Sequence, residues 1–344
     1  MLNKRNLIVI GASAGGFAAV TRLIADLPPD LDAAIFIVWH IAPEVTGVLP
    51  QVLNRQKTIF ASNAVDRELL LFNRIYVAPP DRHLIVEDGL VRVTRGPKEN
   101  RFRPAVDPLF RSAAYIYGPR VIGVILSGAL DDGTAGLWAI KNRGGIAIVQ
   151  DPADAEFPSM PEHALEAVEV DFKVPISDMA SLLVKLSQEP VSSLEPGDME
   201  EYKRIKSEVG IASEELAPER GVIQMGEPSR YACPECHGVL ALIRDGSLVR
   251  YRCHTGHAYS VDSLLTTITE KIEDSLWGAI RGIEESIIML NAVGDHFAEQ
   301  NQPKSAALYF QKANEAGERA KWIRKAVFEH EKLNTKAINA ELIE

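Results

Sequence analysis

The chain has 344 residues, more than one domain usually contains, so we expect at least two folded units. Its formal net charge of −10 argues against nucleic acid as a partner, because binding phosphates requires clustered Lys and Arg side chains. No apolar run is long enough to cross a membrane and no signal-peptide pattern opens the chain, so we predict a cytoplasmic protein without membrane insertion.

The first half of the chain alternates between strand-like and helix-like segments. Buried strands are predicted at 7–10, 34–39, 58–61, 75–77, 121–126 and 146–149, with helical patterns such as 17–27 and 135–143 between them. This alternation predicts an α/β fold with a doubly wound, mostly parallel sheet and crossover helices. One antiparallel hairpin is predicted as well, because 83–86 and 90–93 flank the turn sequence Asp88-Gly89.

The alternation ends near residue 190, which we interpret as the end of the first domain, 1–190. The remaining segments are predicted as an acidic linker at 191–222 with one short helix near 199–209, a cysteine-containing module at 223–260, a pair of amphipathic helices at 261–336 and a tail at 337–344. A short polar connection makes the two helices an antiparallel hairpin. The sequence leaves open whether their apolar faces pack within the chain or form a homodimer.

Three reactive side chains follow predicted strands at their carboxyl ends, where ligands of parallel sheets collect. Ser13 follows the first strand, His40 follows the second, and Asp132 lies in the loop after 121–126. In an activated serine, the imidazole takes the hydroxyl proton, while the carboxylate orients the imidazole and stabilises its charged form. The sequence therefore predicts catalysis by Ser13, His40 and Asp132.

The loop 11–16 is rich in small residues and opens a helix, so its amides suit either an oxyanion or a phosphate. We expect amides near Ala14 and Gly15 to bind the oxyanion, and Gly15 and Gly16 to let a substrate approach the backbone. The alternative is a nucleotide-binding protein. That hypothesis is weaker because the loop lacks G-x-G-x-x-G and because His40 stands where a dinucleotide fold has an acid.

Several motifs occur together in a fixed order within 1–190. They are Ile10-Gly-Ala-Ser13-Ala-Gly-Gly16, His40 with the nearby Pro43, Ala78-Pro-Pro-Asp-Arg-His83, Arg103-Pro-Ala-Val-Asp107-Pro-Leu-Phe110, Ser127-Gly128 with Asp132-Gly133-Thr-Ala-Gly136, and Gln150-Asp151 with Ser159-Met160-Pro161. This combination resembles the catalytic domain of the chemotaxis protein-glutamate methylesterases. The resemblance implies that Ser13, His40 and Asp132 hydrolyse methyl esters of glutamates on the cytoplasmic helices of chemoreceptors, without a catalytic cofactor. It also implies deamidation of receptor glutamines.

The chain departs from this family in two respects. Ala129, beside the expected oxyanion site, stands where the resemblance implies a methionine. The family's phosphoacceptor receiver domain is expected to be absent, because the first strand begins within about ten residues of Met1. These departures support a second hypothesis, a catalytically weakened regulatory or scaffold protein that acts with other proteins of a chemosensory pathway.

Three arginines lie in or beside the motifs that carry the resemblance. We predict that Arg82, Arg103 and Arg111 contact the acidic receptor segment that serves as substrate. The alternative is that they are solvated surface charges, which contribute little to stability.

The three cysteines of the chain lie in one short segment, which favours a metal site over a disulfide framework. Cys233, Cys236 and Cys253 flank a predicted hairpin, and His257 is the preferred fourth ligand, with His254 and His237 as alternatives. Three thiolates and one imidazole fill all four positions of tetrahedral zinc, so we predict a structural zinc ribbon. A similar C-terminal ribbon occurs in some stand-alone methylesterases, and the cysteine pattern resembles it.

Overall fold

The computed structural model describes residues 4–41, 48–191, 199–214, 221–331, 333 and 338. The chain divides into two units, Met1–Ser263 and Leu264–Glu344. Pro43, part of one family motif, lies outside the described residues, as do most of the predicted tail and parts of the predicted linker. The reactive side chains predicted from the sequence all belong to the first unit.

Seven parallel strands form the central sheet of the first unit. They are β1 (Leu7–Ala12), β2 (Ala34–Trp39), β3 (Phe60–Asn63), β4 (Arg74–Val77), β7 (Val121–Ile125), β8 (Ile146–Gln150) and β9 (Phe172–Val174), in the spatial order β3-β4-β2-β1-β7-β8-β9. The chain builds outward from β1 through β2 and then returns to place β7 on the other side of β1. The carboxyl ends of β1 and β7 therefore flank the point where strand order reverses, the usual ligand position of such sheets.

Helices cover both faces of this sheet. They are α1 (Gly16–Ala25), α2 (Leu49–Asn54), α3 (Val106–Tyr117), α4 (Thr134–Asn142), α5 (Ser159–Ala167) and α6 (Ile176–Ser187), with a 3-10 turn at Gly118–Arg120. Alternate residues of β1 enter opposite cores, Leu7 and Val9 on one face and Ile8 and Ile10 on the other. A strand buried on both faces has no polar face, which explains the continuous apolar run in the sequence.

The predicted antiparallel hairpin is confirmed, but it forms a separate two-stranded sheet. It consists of β5 (His83–Glu87) and β6 (Leu90–Thr94), which pair antiparallel around Gly89 at φ 71°. The seven-stranded sheet contains no antiparallel strand among the described residues. The sequence pattern missed β9, a three-residue edge strand too short to show a period.

Part of the segment predicted as a linker is packed into the first unit. Helix α7 (Met199–Ala212) contacts α3, where Tyr202 and Tyr115 have ring centroids 5.0 Å apart. Ile205 and Glu208 of this helix are buried. Stretches 192–198 and 215–220 of the predicted linker lie outside the described residues.

The cysteine-containing module is a four-stranded antiparallel sheet, called here the ribbon. Its strands are β10 (Glu227–Ala232), β11 (Val239–Asp245), β12 (Leu248–Cys253) and β13 (Ala258–Ser260), in sequential order after a 3-10 turn at Val222–Gln224. The predicted hairpin is β11–β12, and Gly246 takes φ 60° in its turn. The ribbon belongs to the first unit.

The second unit is an antiparallel pair of helices. Helix α8 (Val261–Glu299) starts at the end of the ribbon, and α9 (Pro303–Phe328) opens with proline near the helix start. Phe297 stacks on Tyr309 with ring centroids 5.4 Å apart, and Arg324 pairs with Glu284 farther along. Among the described residues, no helix is both long and apolar enough to cross a membrane.

Candidate active site

Ser13 lies in the turn between β1 and α1. Gly15 takes a positive φ of 69°, which favours glycine, and the Gly16 amide donates to the Ser13 carbonyl at 3.0 Å as the helix begins. The Ser13 amide donates to the Ser127 carbonyl at 3.0 Å. This turn holds the Ser13 hydroxyl at the carboxyl edge of the sheet, beside the loop that follows β7.

His40 follows β2 and is placed by the register of the sheet. Ala12 pairs with Trp39, and the His40 amide donates to the Ala12 carbonyl at 3.1 Å. The His40 ring stacks on Phe102, with centroids 3.9 Å apart and planes 12° apart. Its Nδ1 lies 3.1 Å from the Ser13 Oγ. Stacking and strand pairing therefore hold the imidazole against the serine.

Asp132 is buried and accepts several hydrogen bonds. Its Oδ2 lies 2.8 Å from His40 Nε2 and accepts from the Val106 amide at 2.6 Å, while Oδ1 accepts from Asn100 Nδ2 at 2.9 Å. Burial alone would raise the pKa of Asp132, but the hydrogen bonds and the His40 interaction lower it below its ordinary value. The carboxyl group is therefore ionised near neutral pH.

The negative charge of Asp132 determines which ring nitrogen of His40 carries the proton. An ionised carboxylate only accepts hydrogen bonds, so the His40 nitrogen facing Asp132, Nε2, carries the proton. Its other nitrogen, Nδ1, then presents a lone pair to the Ser13 hydroxyl. The predicted residues thus meet in a continuous hydrogen-bonded chain from hydroxyl to imidazole to carboxylate.

The loop after β7 closes the other side of Ser13. A Cβ added at Gly128 would lie 2.9 Å from the Ser13 Cβ and 2.5 Å from the Met160 sulfur, so this position has no room for a side chain. The Ser127 hydroxyl donates to the Ala14 carbonyl at 2.9 Å. Ala129 follows this tight contact and is exposed. Both predicted oxyanion segments, the start of α1 and the loop at Ala129, therefore lie beside the serine.

Several known proteins are similar to the first half of this chain. Residues 8–183 match the CheB methylesterase family. A Leptospira interrogans protein, which carries the provisional name protein-glutamate methylesterase/protein-glutamine glutaminase, is 40% identical over 182 residues, covering 53% of this chain and 94% of that protein. A protein of Anaeromyxobacter dehalogenans named protein-glutamate methylesterase/protein-glutamine glutaminase 2 is 37% identical over 53% of each chain.

A solved structure shares the fold. The crystal structure of the Thermotoga maritima CheB methylesterase catalytic domain aligns with a TM-score of 0.51 and 32% identity, over 53% of this chain and 98% of that chain. The chain belongs to the CheB methylesterase family. The predicted enzyme class, a carboxylic ester hydrolase, is the class of that family. The family match ends at residue 183, before α7, the ribbon and the helix pair.

The three arginines proposed as substrate contacts lie in different environments. Arg82 is partly exposed and donates to the Asp81 carbonyl at 2.8 Å. Arg103 makes two hydrogen bonds to Asp81 Oδ1, at 2.9 and 2.7 Å, and has a side chain 15% exposed. Arg111 is 2% exposed and bonded to Glu99, so a docking protein segment cannot reach it. The prediction of Arg111 as a substrate contact is corrected, because the side chain is buried in the CheB-type domain.

Arg111 belongs to a buried group of charges that the sequence analysis missed. Its members come from the catalytic domain, α7 and the ribbon: Glu99, Asp107, Arg111, Glu208, Asp245, Arg250 and Arg252. Arg252 lies 3.0 Å from both Glu99 and Glu208. Burial raises the pKa of Glu208, but three arginines lower it well below its ordinary value. In the sequence, Arg250 and Arg252 alternate along β12, and this pattern could have indicated that the strand carries buried charges.

The ribbon brings three cysteines and one histidine together. Ligand atoms of Cys233, Cys236, Cys253 and His257 all lie within 4.8 Å of one another. The Cys236 and Cys253 sulfurs are 3.6 Å apart, and His257 Nδ1 lies 3.7 Å from Cys233 Sγ and 3.5 Å from Cys253 Sγ. Tetrahedral zinc with bonds of about 2.3 Å to sulfur separates its ligand atoms by about 3.8 Å. The donor set and its spacing therefore fit zinc, with His257 as the histidine of the group.

Proposed function

We propose that this chain is a protein-glutamate methylesterase that hydrolyses glutamate methyl esters on the cytoplasmic helices of chemoreceptors, with Ser13, His40 and Asp132 as its catalytic triad. The observation that carries this proposal is the hydrogen-bonded chain from Ser13 Oγ through His40 to Asp132, at 3.1 and 2.8 Å. The 40% identity to a relative carrying that name supports the choice of substrate.

The proposed reaction begins with attack of Ser13 Oγ on the ester carbonyl. His40 Nδ1 takes the hydroxyl proton, and Asp132 stabilises the imidazolium that forms. Collapse of the tetrahedral intermediate breaks the bond to the methoxy group, which leaves as methanol with the proton from His40. Water then attacks the acyl-serine with His40 as base, which releases the glutamate carboxylic acid and restores Ser13. A glutamine amide would follow the same route and release ammonia.

Backbone amides supply the oxyanion site in this proposal. Ala14 lies in the turn that precedes α1 and Ala129 lies in the loop packed against Ser13, so their N–H groups are the proposed donors. One such donor contributes about 3 kcal/mol to transition-state stabilisation. Because the Ala129 donor is a backbone amide, it does not depend on the methionine side chain that the family resemblance implies at this position.

The decisive test is replacement of the nucleophile. Ser13→Ala should abolish release of methanol from a methylated receptor, since no other group in the triad can form the acyl intermediate. Ser181→Ala, which removes an exposed hydroxyl on α6, serves as the matched control and should retain wild-type release. Methanol release by Ser13→Ala at the wild-type rate would reject the assignment.

The second hypothesis, a weakened enzyme that acts as a scaffold, is motivated by Ala129. A fluorophosphonate probe separates the two hypotheses, because it reacts only with an activated serine. Labelling of Ser13 in the wild-type chain, absent from His40→Ala, supports the enzyme. Failure of the wild-type chain to label supports the scaffold.

We also propose a structural zinc ion bound by Cys233, Cys236, Cys253 and His257. All four ligand positions are taken by protein atoms, so the ion would hold the ribbon together and take no part in hydrolysis. Cytoplasmic location, other chemosensory partners, substrate contacts from Arg82 and Arg103, and a homodimer through the helix pair remain predictions from the sequence. The same holds for the proposed domain division at residues 190, 222, 260 and 336.

A further inference from the structure

Asn100 is a buried residue outside the predicted triad that contacts its carboxylate directly. It lies in the loop between β6 and α3 and is 5% exposed. Its Nδ2 group donates to Asp132 Oδ1 and to Asp107 Oδ2, both at 2.9 Å. One amide group therefore bridges two neighbouring buried carboxyl groups.

The opposite side of Asn100 is held by the ribbon and the first turn of α8. Its Oδ1 accepts from the Ser260 amide at 2.9 Å and from the Ser263 hydroxyl at 3.2 Å. Its backbone amide donates to the Ala258 carbonyl at 2.8 Å. All of these partners belong to the same unit as the active site. They come from residues 75 or more positions beyond the end of the family match at 183.

These contacts decide which way the Asn100 amide faces. A backbone N–H only donates, so the Ser260 amide requires an oxygen in front of it, and the Asn100 oxygen must point to the ribbon. The NH2 group then has to face Asp132. The reverse orientation would put the Asn100 oxygen against two carboxyl groups and its NH2 group against a donor.

We propose that Asn100 is a positioning residue through which the ribbon sets the orientation and charge of the catalytic Asp132. This inference rests on the proposed function, because it assigns Asp132 to the triad. The segment after the family match at 8–183 then helps to position the triad, although it supplies no reacting group.

Two further contacts attach the ribbon to this part of the chain. Arg252 of β12 pairs with Glu99, the residue before Asn100, at 3.0 Å. The Ser260 hydroxyl donates to Asp131, the residue before Asp132, at 2.7 Å. The ribbon thus contacts the neighbours of both Asn100 and Asp132, through β12 and β13 respectively, so a shift of these two strands would reach the triad by two routes.

Asn100→Gly is the first test variant. Asn100 has a φ of 47°, where alanine would add backbone strain, whereas glycine removes the side chain and keeps the backbone. Loss of a hydrogen bond to a charged group should lower kcat by about ten- to a hundredfold, with KM nearly unchanged. A misoriented carboxylate should also move the acidic limb of the pH–rate profile.

Asn100→Asp is the second variant, and it keeps the shape of the side chain. It places a third carboxyl group beside Asp132 and Asp107, which favours the charged imidazole of His40. The acidic limb of kcat/KM should therefore move to higher pH, by about one unit or more. The same shift can be measured without the receptor substrate, from the pH dependence of the rate of fluorophosphonate labelling at Ser13.

A double-mutant cycle with Ser263→Ala tests the link to the ribbon. Ser263→Ala should lower kcat in the wild-type chain and have a smaller effect in Asn100→Gly, because it acts largely through the Asn100 oxygen, beside its contact with the Ser260 hydroxyl at 2.9 Å. Thr94→Val is the matched control, since it removes a different buried hydrogen bond, the one at 2.6 Å from Thr94 Oγ1 to the Ala212 carbonyl. The control should leave the pH profile unchanged.

The outcomes separate the two proposals. If the wild-type chain hydrolyses the ester and Ser13→Ala does not, but Asn100→Gly keeps wild-type kcat and pH profile, the positioning role is wrong and the esterase assignment stands. Additive effects of Asn100→Gly and Ser263→Ala would also overturn the link. If the wild-type chain releases no methanol but labels at Ser13, the substrate assignment fails, and the pH dependence of labelling in wild type and Asn100→Gly decides the role of Asn100. If the wild-type chain neither releases methanol nor labels, both proposals are overturned.

Discussion

Replacing Asp132 with asparagine tests the charge state on which the proposed triad depends. Oδ2 of Asp132 accepts from His40 and Val106, and Oδ1 accepts from Asn100 and, at 3.3 Å, from the Asp107 amide. An asparagine must turn its NH2 group toward one of these pairs of donors. Each unsatisfied buried donor costs about 1–3 kcal/mol, so Asp132→Asn should lower the free energy of unfolding by about 2–6 kcal/mol.

The catalytic loss should be larger than the loss of stability suggests. If the NH2 group faces His40, Nε2 must accept a hydrogen bond and Nδ1 must carry the proton. The imidazole then cannot take the proton of Ser13, and kcat should fall by about 10³- to 10⁴-fold. The rate of methanol release at a saturating concentration of methylated receptor measures kcat, and urea unfolding at the same pH measures the free energy of unfolding.

Asp107→Asn is the matched comparison, because Asp107 is the neighbouring buried carboxyl group on the same Asn100 amide. Burial and the nearby charge of Asp132 raise the pKa of Asp107 to about 7. Near neutral pH a neutral amide therefore replaces a group that is already protonated much of the time. We expect a loss of less than about 2 kcal/mol in unfolding free energy and less than about tenfold in kcat.

The pKa of Asp132 also predicts in which direction the free energy of unfolding changes with pH. The pKa of Asp132 is lowered on folding, so its contribution to stability is present above its unfolded pKa, near 3.9, and is lost as the pH falls through the folded value. The stability difference between wild type and Asp132→Asn should therefore narrow in acid. Wild-type kcat in Asp132→Asn, or a stability difference that widens in acid, would refute the charge assignment.

Two other predictions concern the contacts around the site. Arg111→Met should lower the free energy of unfolding by about 3–5 kcal/mol, measured by urea denaturation, because it leaves Glu99 buried with one fewer positive partner. A loss below about 1 kcal/mol would contradict the burial of Arg111, and Arg82→Met is the exposed control. Purified chain should contain about one zinc ion, and removing it with a chelator should lower the melting temperature and the rate of labelling at Ser13. Cys236→Ser should lower the zinc content in the same way, and full zinc occupancy in that variant would exclude Cys236 as a ligand.

Local patterns in the sequence carried enough information to predict much of the catalytic domain. A strand buried on both faces is recognisable as an apolar run, and strand ends in a parallel sheet share one edge, so Ser13, His40 and Asp132 could be placed together before their distances were known. The cysteine spacing similarly predicted the Cys233–Cys236–Cys253–His257 group that the structure assembles. The three-residue strand β9 was too short for such a pattern.

The contacts between distant segments required the tertiary structure. The sequence pattern around Arg111 is typical of a charged residue on the exposed face of an amphipathic helix. Its burial depends on Glu208 of α7, which lies nearly a hundred positions later in the chain. Asn100 carries no motif that marks it as a partner of Asp132. Its orientation depends on Ser260, whose amide reaches it only after the ribbon has folded against the loop between β6 and α3.

The sequence alone determined the strand and helix periods, the reactive groups at the strand ends and the metal-ligand spacing, because each depends on residues near one another in the chain or on a general rule of sheet topology. The burial of particular arginines, the orientation of the Asn100 amide and the contacts of the ribbon became clear from the folded chain. Those features depend on long-range packing, in which a buried charge or donor must find its partner among residues that the order of the chain does not bring together.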